Sequence, residues 1–158
     1  MKLSILKGVS FGLTSGTITT LGLMVGLQSS TGLKSIVAGG ILTIAIADAL
    51  SDALGIHISE ESENLHSVKE IWESTIATFL AKFIYASTFL IPIYFFALSP
   101  AIVINIIYGL LVLGLISYWM AKEQKQKPTR IIAEHLLIAV VVIAITHLVG
   151  DWVSVLFG

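Results

Sequence analysis

Two aspartates, Asp48 and Asp52, stand inside an apolar stretch, residues 35–58, that is long enough to cross a bilayer. Their spacing of four places both carboxylates on one helix face, with Cβ atoms about 6 Å apart. Two ionised carboxylates this close repel, so one holds a proton unless a cation lies between them. Because an acid at membrane depth costs about 3 kcal/mol and usually marks an ion or proton route, the pair predicts an ion-handling site. The alternative is structural, with each aspartate paired to Lys82 or to Ser and Thr hydroxyls.

The composition indicates an integral membrane protein. Of the 158 residues, 56% are hydrophobic and only 12% charged, against about 25% charged in soluble domains. The chain has no cysteine, so disulfides and thiolate metal sites are excluded, and a net charge of −1 gives no reason to expect nucleic-acid binding. We expect an all-α membrane protein with one transport domain, residues 1–158, and five transmembrane helices. Their predicted bounds are 8–27, 35–58 with a cytoplasmic extension to about 73, 74–98, 99–121 and 131–157.

Lysine and arginine predict the orientation. Seven of these residues flank one side of the predicted helices, whereas only Lys34 flanks the other. The positive-inside rule therefore predicts a cytoplasmic N-terminus. Lys82, about two turns into the third helix, is expected to reach back to the cytoplasmic interface. The seven residues are Lys2, Lys7, Lys69, Lys122, Lys125, Lys127 and Arg130.

The first helix carries a stripe of small residues. Its members lie alternately four and three positions apart, and small residues at this spacing allow close helix approach in lipid. The stripe predicts either a homodimer through the first helix or packing against another helix of the same chain. Two of its hydroxyls, those of Ser15 and Thr19, could line an ion path along that seam, or could simply bond to a carbonyl one turn earlier. The stripe consists of Gly8, Gly12, Ser15, Thr19, Gly22 and Gly26.

An acidic segment follows the second transmembrane helix. If the helix continues to about residue 73, Glu63, His66, Glu70 and Glu73 share one face, and Glu63-x-x-His66 has the ligand spacing of di-iron carboxylate bundles. Together with Glu60 and its neighbour Glu61, these side chains would concentrate cations at a cytoplasmic mouth. A solvated acidic face is the alternative.

The motif GVSFGLTSGTITTLGLMVGL, followed by AGGILTIAIADALSDALGIHISEESE, resembles the first two helices of the vacuolar iron transporter family. This resemblance implies five transmembrane helices, a homodimer, and divalent iron or manganese exchanged for protons along the dimer interface. Ser15 stands where that family has an aspartate, and Asp52 stands where it has a methionine. Oxygen-only ligation suits Mn²⁺, Mg²⁺ or Ca²⁺ as well as Fe²⁺.

We therefore expect a multi-pass protein of the cell membrane that exports Fe²⁺ or Mn²⁺ by proton antiport. It is expected not to be an enzyme, to hold no tightly bound cofactor, and to have a second copy, the bilayer and metal ions as its partners. The alternatives are a transporter or channel for another cation (Na⁺, H⁺ or Ca²⁺) and a non-transporting membrane scaffold. The expected metal-site residues are Asp48, Asp52, Ser15, Thr19, Glu60, Glu63, His66, Glu70 and Glu73.

Overall fold

Helices account for nearly all of residues 2–157, the part of the chain that the computed structural model describes, and no strand occurs there. Five helical stretches are long and apolar enough to cross a membrane, as the sequence predicts, because the third and fourth helices together form one span, Val68–Phe95. The helices are α1 (Leu3–Thr31), α2 (Lys34–Glu63), α3 (Val68–Thr88), α4 (Leu90–Phe95), α5 (Leu98–Glu123) and α6 (Pro128–Phe157).

The break between α3 and α4 follows from Pro92. Proline has no N–H to give to the carbonyl four residues earlier, so the helix is interrupted at Phe89. Asn105 of α5 is fully buried and donates a 2.9 Å hydrogen bond from Nδ2 to the Phe89 carbonyl oxygen. This side chain ties α5 to the interrupted span.

α1 is the central helix, and α2, α3, α5 and α6 all pack against it. Its C-terminal half contributes Leu21, Met24 and Val25 to an apolar core with α2, α3 and α5. An aromatic cluster extends that core, with Phe89 5.3 Å in ring-centroid distance from both Tyr85 and Tyr108. The N-terminal half of α1 faces a polar seam instead, formed by the buried Ser74, Thr78 and Lys82 of α3.

The glycine stripe of α1 packs within the chain. A Cβ atom at Gly12 would lie 2.6 Å from the Thr78 carbonyl oxygen of α3, and one at Gly22 would lie 2.9 Å from Val142 of α6. Gly16 lies against the stem of Lys82, since its Cβ would be 3.3 Å from Cγ of that lysine. The intrachain alternative therefore describes the stripe, and the expectation of a dimer seam on these glycines is corrected. A homodimer remains a prediction that needs another surface.

The predicted continuation of the second helix to about residue 73 is wrong. α2 ends at Glu63, and Asn64 adopts a left-handed conformation with φ 53°. Ser67 then begins α3 with a capping box, in which its hydroxyl accepts from the Glu70 N–H and the Glu70 carboxylate accepts from the Ser67 N–H. This reciprocal pair satisfies two otherwise unpaired helix N–H groups and so favours a new helix over a continuous one.

Candidate functional site

Three helices bring four polar side chains together near the middle of their lengths. Lys82 of α3 donates from Nζ to Asp52 Oδ2 at 2.5 Å and to Ser15 Oγ at 2.9 Å, and it also forms an ion pair with Asp48. The aspartates come from α2 and the serine from α1. We call these four residues the Lys82 cluster.

The charges of the Lys82 cluster are largely removed from solvent, so they depend on one another for stabilisation. The Lys82 side chain is fully buried, whereas the side chains of Asp48 and Asp52 are 29% and 19% exposed. Among the described residues, Asp48 Oδ2 is enclosed and has the ammonium as its sole partner. An ammonium has three protons to donate, and three oxygen-bearing side chains surround it. Two carboxylates and one ammonium leave the cluster with a formal charge of −1.

The packing of α1 on α3 explains how the lysine fits. Gly8, Gly12 and Gly16 remove side-chain bulk at successive turns, so α3 approaches closely along its Ser74, Thr78 and Lys82 face. The sequence expectation that Lys82 reaches the cytoplasmic interface is therefore wrong, because its ammonium points to two acids at mid-helix. The pairing of the aspartates with Lys82 is the structural alternative stated above.

In the Lys82 cluster, the lysine ammonium occupies the place that a bound cation would take between the two carboxylates. Carboxylate and hydroxyl oxygens suit hard cations, and Lys82 Nζ occupies the position between the carboxylates. Within residues 2–157 no three His, Cys, Asp or Glu side chains converge as a metal cluster would require. A metal held at this place would therefore have Asp48, Asp52 and Ser15 as its protein ligands, after displacement of the ammonium.

Thr19 does not join Ser15 in the cluster. Its hydroxyl donates to the Ser15 carbonyl oxygen at 2.9 Å, the back-bonding arrangement common for threonine in helices. Thr14 is different, because its Oγ1 is buried without a hydrogen-bond partner among the described residues. It lies one residue before Ser15 and lines the cavity described below.

Glu60 forms a second acid–lysine pair, at the end of α2, in which the acid is buried but the Lys7 side chain is 41% exposed. Its side chain is 2% exposed, its Oε1 lies 3.0 Å from Lys7 Nζ, and it accepts a hydrogen bond from Ser74. This site lies about two helical turns closer to the end of α2 and has the same three kinds of side chain as the Lys82 cluster. Here the lysine comes from α1 and the serine from α3, whereas in the Lys82 cluster the lysine comes from α3 and the serine from α1. Sequence reasoning placed Glu60 at an exposed mouth and missed Lys7 as its partner.

The remaining acidic residues do not converge on one site. Glu63 Oε2 lies 3.2 Å from His66 Nε2, but both side chains are at the surface. Glu70 accepts from the Ser67 N–H and hydroxyl, and Glu73 accepts from Lys2 at 2.5 Å and from Ser4 at 2.8 Å. The shared face expected for the four acidic and histidine positions is lost because α2 stops at Glu63.

A cavity of about 610 Å³ opens at this end of the bundle, between α1, the end of α2, and the α5–α6 connection. Glu60, His66 and Glu70 line it. Glu123 and His135 also line it and were not foreseen, because nothing in their local sequence shows that α5 and α6 close around the start of α1. His135 is held by a 2.8 Å hydrogen bond between its Nδ1 and Ser117 Oγ.

Comparisons with models of known protein families and with curated proteins give no match to this chain.

Proposed function

We propose that this protein is a transporter that exports a divalent cation, Fe²⁺ or Mn²⁺, in exchange for protons. Asp48 and Asp52 are the cation ligands in this proposal, and Lys82 is the internal cation that the metal displaces. The observation that carries it is the fully buried ammonium held between two acids, near the middle of helices long enough to cross a membrane. Charged groups at that depth are costly and are usually associated with ion or proton movement.

Charge balance links metal binding to proton release. With Lys82 protonated, the two carboxylates and the ammonium sum to −1, and an added divalent cation would bring the buried site to +1. If Lys82 gives up its proton as the metal arrives, the site is neutral, which a low-dielectric environment favours. The proton leaves from Nζ, the freed carboxylate oxygens of Asp48 and Asp52 bind the metal, and reprotonation of Lys82 expels it.

The acidic cavity at one end of the bundle supports export. The positive-inside rule favours a cytoplasmic N-terminus, and with this orientation the acidic cavity beside Glu60 would face the cytoplasm. Cations would collect there, pass the Lys7–Glu60 pair and Thr14, and reach the Lys82 cluster. Protons taken up from outside would recharge Lys82 and be released inside with the next metal. One cation then leaves as protons enter, which is antiport.

The choice of metal rests on the resemblance of the first two helices to vacuolar iron transporters. A homodimer in the cell membrane belongs to the same proposal. The oxygen-only ligand set of Asp48, Asp52 and Ser15 accommodates Mn²⁺ and Fe²⁺ but also Ca²⁺.

A membrane scaffold is the second candidate. It is favoured by the complete pairing of Lys82, because an ammonium with three oxygen partners is a satisfied structural element. In that case the Lys82 cluster ties α1, α2 and α3 together and transports nothing.

Proteoliposomes distinguish these two functions. Purified protein would be reconstituted in sealed vesicles and the flux of Mn²⁺, Fe²⁺, Ca²⁺ and Na⁺ followed with and without a pH gradient. We expect Mn²⁺ or Fe²⁺ flux that a pH gradient accelerates. Flux of Na⁺ or Ca²⁺ in preference would reassign the ion, and no flux from folded protein would favour the scaffold.

A further inference from the structure

Buried polar atoms without a hydrogen-bond partner are concentrated beside α1. Within residues 2–157 these are, apart from Asp48 Oδ2 of the Lys82 cluster, Thr14 Oγ1, Thr20 Oγ1 and Asn105 Oδ1. The Thr20 and Asn105 side chains are fully buried. Unpaired polar atoms are unfavourable in a protein interior, and ordered water commonly satisfies them. The three atoms therefore indicate water bound inside the bundle.

The α1 members of this set lie along one side of the helix. Thr14, Thr17 and Thr20 are three residues apart, and Met24 lies four residues further on. Side chains at these spacings are neighbours on a helix surface, with Cβ atoms about 5–6 Å apart. Two hydrogen bonds of about 2.8 Å each span such a gap, so one water molecule can bridge each pair of neighbours. We call Thr14, Thr17 and Thr20 the threonine line.

Asn105 of α5 lies at one end of the threonine line. Its Nδ2 lies 3.2 Å from Met24 Sδ and donates to the Phe89 carbonyl oxygen, so its Oδ1 is left as an acceptor. Because Thr20 precedes Met24 by one helical turn, a water molecule that donates to Asn105 Oδ1 is also close to the Thr20 hydroxyl. Such a molecule would satisfy both buried atoms.

The threonine line also passes the Lys82 cluster. A 3.2 Å hydrogen bond joins Thr17 Oγ1 to Tyr85 Oη, which is buried. Tyr85 and Lys82 both pack on Gly16, whose Cβ would lie 3.4 Å from Tyr85 Cδ1 and 3.3 Å from Lys82 Cγ. Thr14, at the other end of the line, lines the cavity described above. The line therefore connects that cavity, the buried lysine and Asn105.

Water suits these atoms better than a metal or sodium ion does. The unpaired atoms are two hydroxyl oxygens and one amide oxygen, all neutral, and a hydroxyl can donate as well as accept. A cation held by them would be a buried charge without a carboxylate in its own shell, which is unfavourable.

We infer that a file of ordered water molecules runs along the threonine line inside each chain, from the cavity to Asn105, and moves protons to and from Lys82. The proton role rests on the proposed function, whereas the water file does not. A neutral Lys82 amine takes a proton from the adjacent hydroxyl or water, which takes one from its neighbour on the Asn105 side. When metal arrives, the ammonium releases a proton toward Thr14. Each O–H group is restored, and one proton has crossed.

Oxidation of Met24 tests the water file. Brief X-ray irradiation forms hydroxyl radicals from water, and a radical formed at an ordered water molecule oxidises the side chain beside it. In phosphatidylethanolamine–phosphatidylglycerol vesicles we expect oxidation of Met24, although it is fully buried, as well as of the half-buried Met120. Thr20→Val preserves shape but removes one water partner, and should lower oxidation of Met24 about fivefold.

Thr146→Val is the matched control, because the Thr146 hydroxyl donates to the Val142 carbonyl oxygen of its own helix. It should leave the oxidation of Met24 and Met120 unchanged. Protection of Met24 in the wild type, or equal oxidation of Met24 in Thr20→Val, would overturn the water file.

Proton uptake tests the role of the file. During Mn²⁺ flux in the same vesicles, Thr20→Val and Tyr85→Phe should take up protons more slowly than the wild type, whereas Thr146→Val should not. Binding of Mn²⁺ without a pH gradient should be unchanged, because Asp48 and Asp52 are intact. Proton uptake at the wild-type rate in both Thr20→Val and Tyr85→Phe would overturn the proton role.

The two experiments separate this inference from the proposed function. Oxidation of Met24 in a wild-type protein that moves no metal would support the water file and contradict the transporter. Protection of Met24 in a protein with pH-driven Mn²⁺ flux would contradict the file and support the transporter.

Discussion

Lys82 Nζ of α3 lies 2.5 Å from Asp52 Oδ2 of α2, with the lysine side chain fully buried. Ser15 and Asp48 complete its surroundings. Together, the contacts of Lys82 link the three helices that meet along the polar seam. A cation that bound to the aspartates would have to displace the Lys82 ammonium. The predictions below follow from it and from the packing around it.

Removal of the buried ammonium should destabilise the fold more than removal of the whole cluster. Lys82→Met leaves two carboxylates without a counter-ion, and breaking a buried ion pair by deleting one partner costs about 3–5 kcal/mol. The triple variant Lys82→Met/Asp48→Asn/Asp52→Asn removes the uncompensated charge and should recover most of that loss. Free energies of unfolding in mixed micelles would measure both, and a triple variant no more stable than Lys82→Met would contradict the charge account.

Lys82 should also determine proton coupling. In Lys82→Gln no ammonium is available to lose a proton when the metal binds, so the remaining flux should no longer respond to a pH gradient. Metal flux and internal pH would be recorded together in vesicles that contain either protein. Unaltered proton movement in Lys82→Gln would show that the exchanged proton resides elsewhere, for example on one of the aspartates.

Helix glycines should tolerate substitution only where space is open. Gly12→Ala places a Cβ 2.6 Å from the Thr78 carbonyl oxygen, and overpacking of this kind costs about 1–3 kcal/mol. Gly114→Ala has nothing within 4 Å and should be neutral or stabilising by up to about 1 kcal/mol, since alanine favours helix. Gly12→Ala should therefore lower the free energy of unfolding whereas Gly114→Ala should not, and equal changes in the two variants would argue against the close α1–α3 contact.

The capping box should serve folding and not transport. Ser67→Ala removes the hydroxyl that accepts from the Glu70 N–H and should cost about 1 kcal/mol, with faster amide exchange at the start of α3. Glu63→Gln, at the exposed end of α2, should leave metal flux unchanged because this side chain lies outside both the Lys82 cluster and the cavity beside Glu60. A large loss of flux in Glu63→Gln would add this carboxylate to the transport path.

The five spans could be predicted from the sequence because apolar length and charged connectors are local properties. The end of α2 was predictable in principle, since Ser67-x-x-Glu70 is a helix-start signature, but the expected run of acids on one face took precedence. The pairing of Lys82 with the two aspartates was only an alternative to the expectation that Lys82 reaches the membrane interface. Whether a lysine reaches the interface or an acid on another helix depends on helix packing, here on Gly16 leaving room for its stem.

The same limit applies to the cavity and to the α1 stripe. Small residues at regular spacing indicate close helix contact but do not identify the partner helix. In this fold the α1 stripe is covered by α3 at Gly8 and Gly12 and by α6 at Gly22. Glu123 and His135 reach the cavity through the long-range packing of α5 and α6 around α1, which has no local sequence signal.

The most direct test of the central claim is Mn²⁺ flux in vesicles for Asp48→Asn/Asp52→Asn, with Asp151→Asn as the control. Asp151 is an exposed carboxylate near the C-terminal end of α6 and lies outside the proposed path. Its Oδ2 lies 3.7 Å from His147 Nε2. We predict that the double variant, whose asparagine oxygens can still accept from Lys82 Nζ, folds with reduced stability and loses pH-driven Mn²⁺ flux, whereas Asp151→Asn retains it. Normal flux in Asp48→Asn/Asp52→Asn would contradict the assignment of these two aspartates as the cation site.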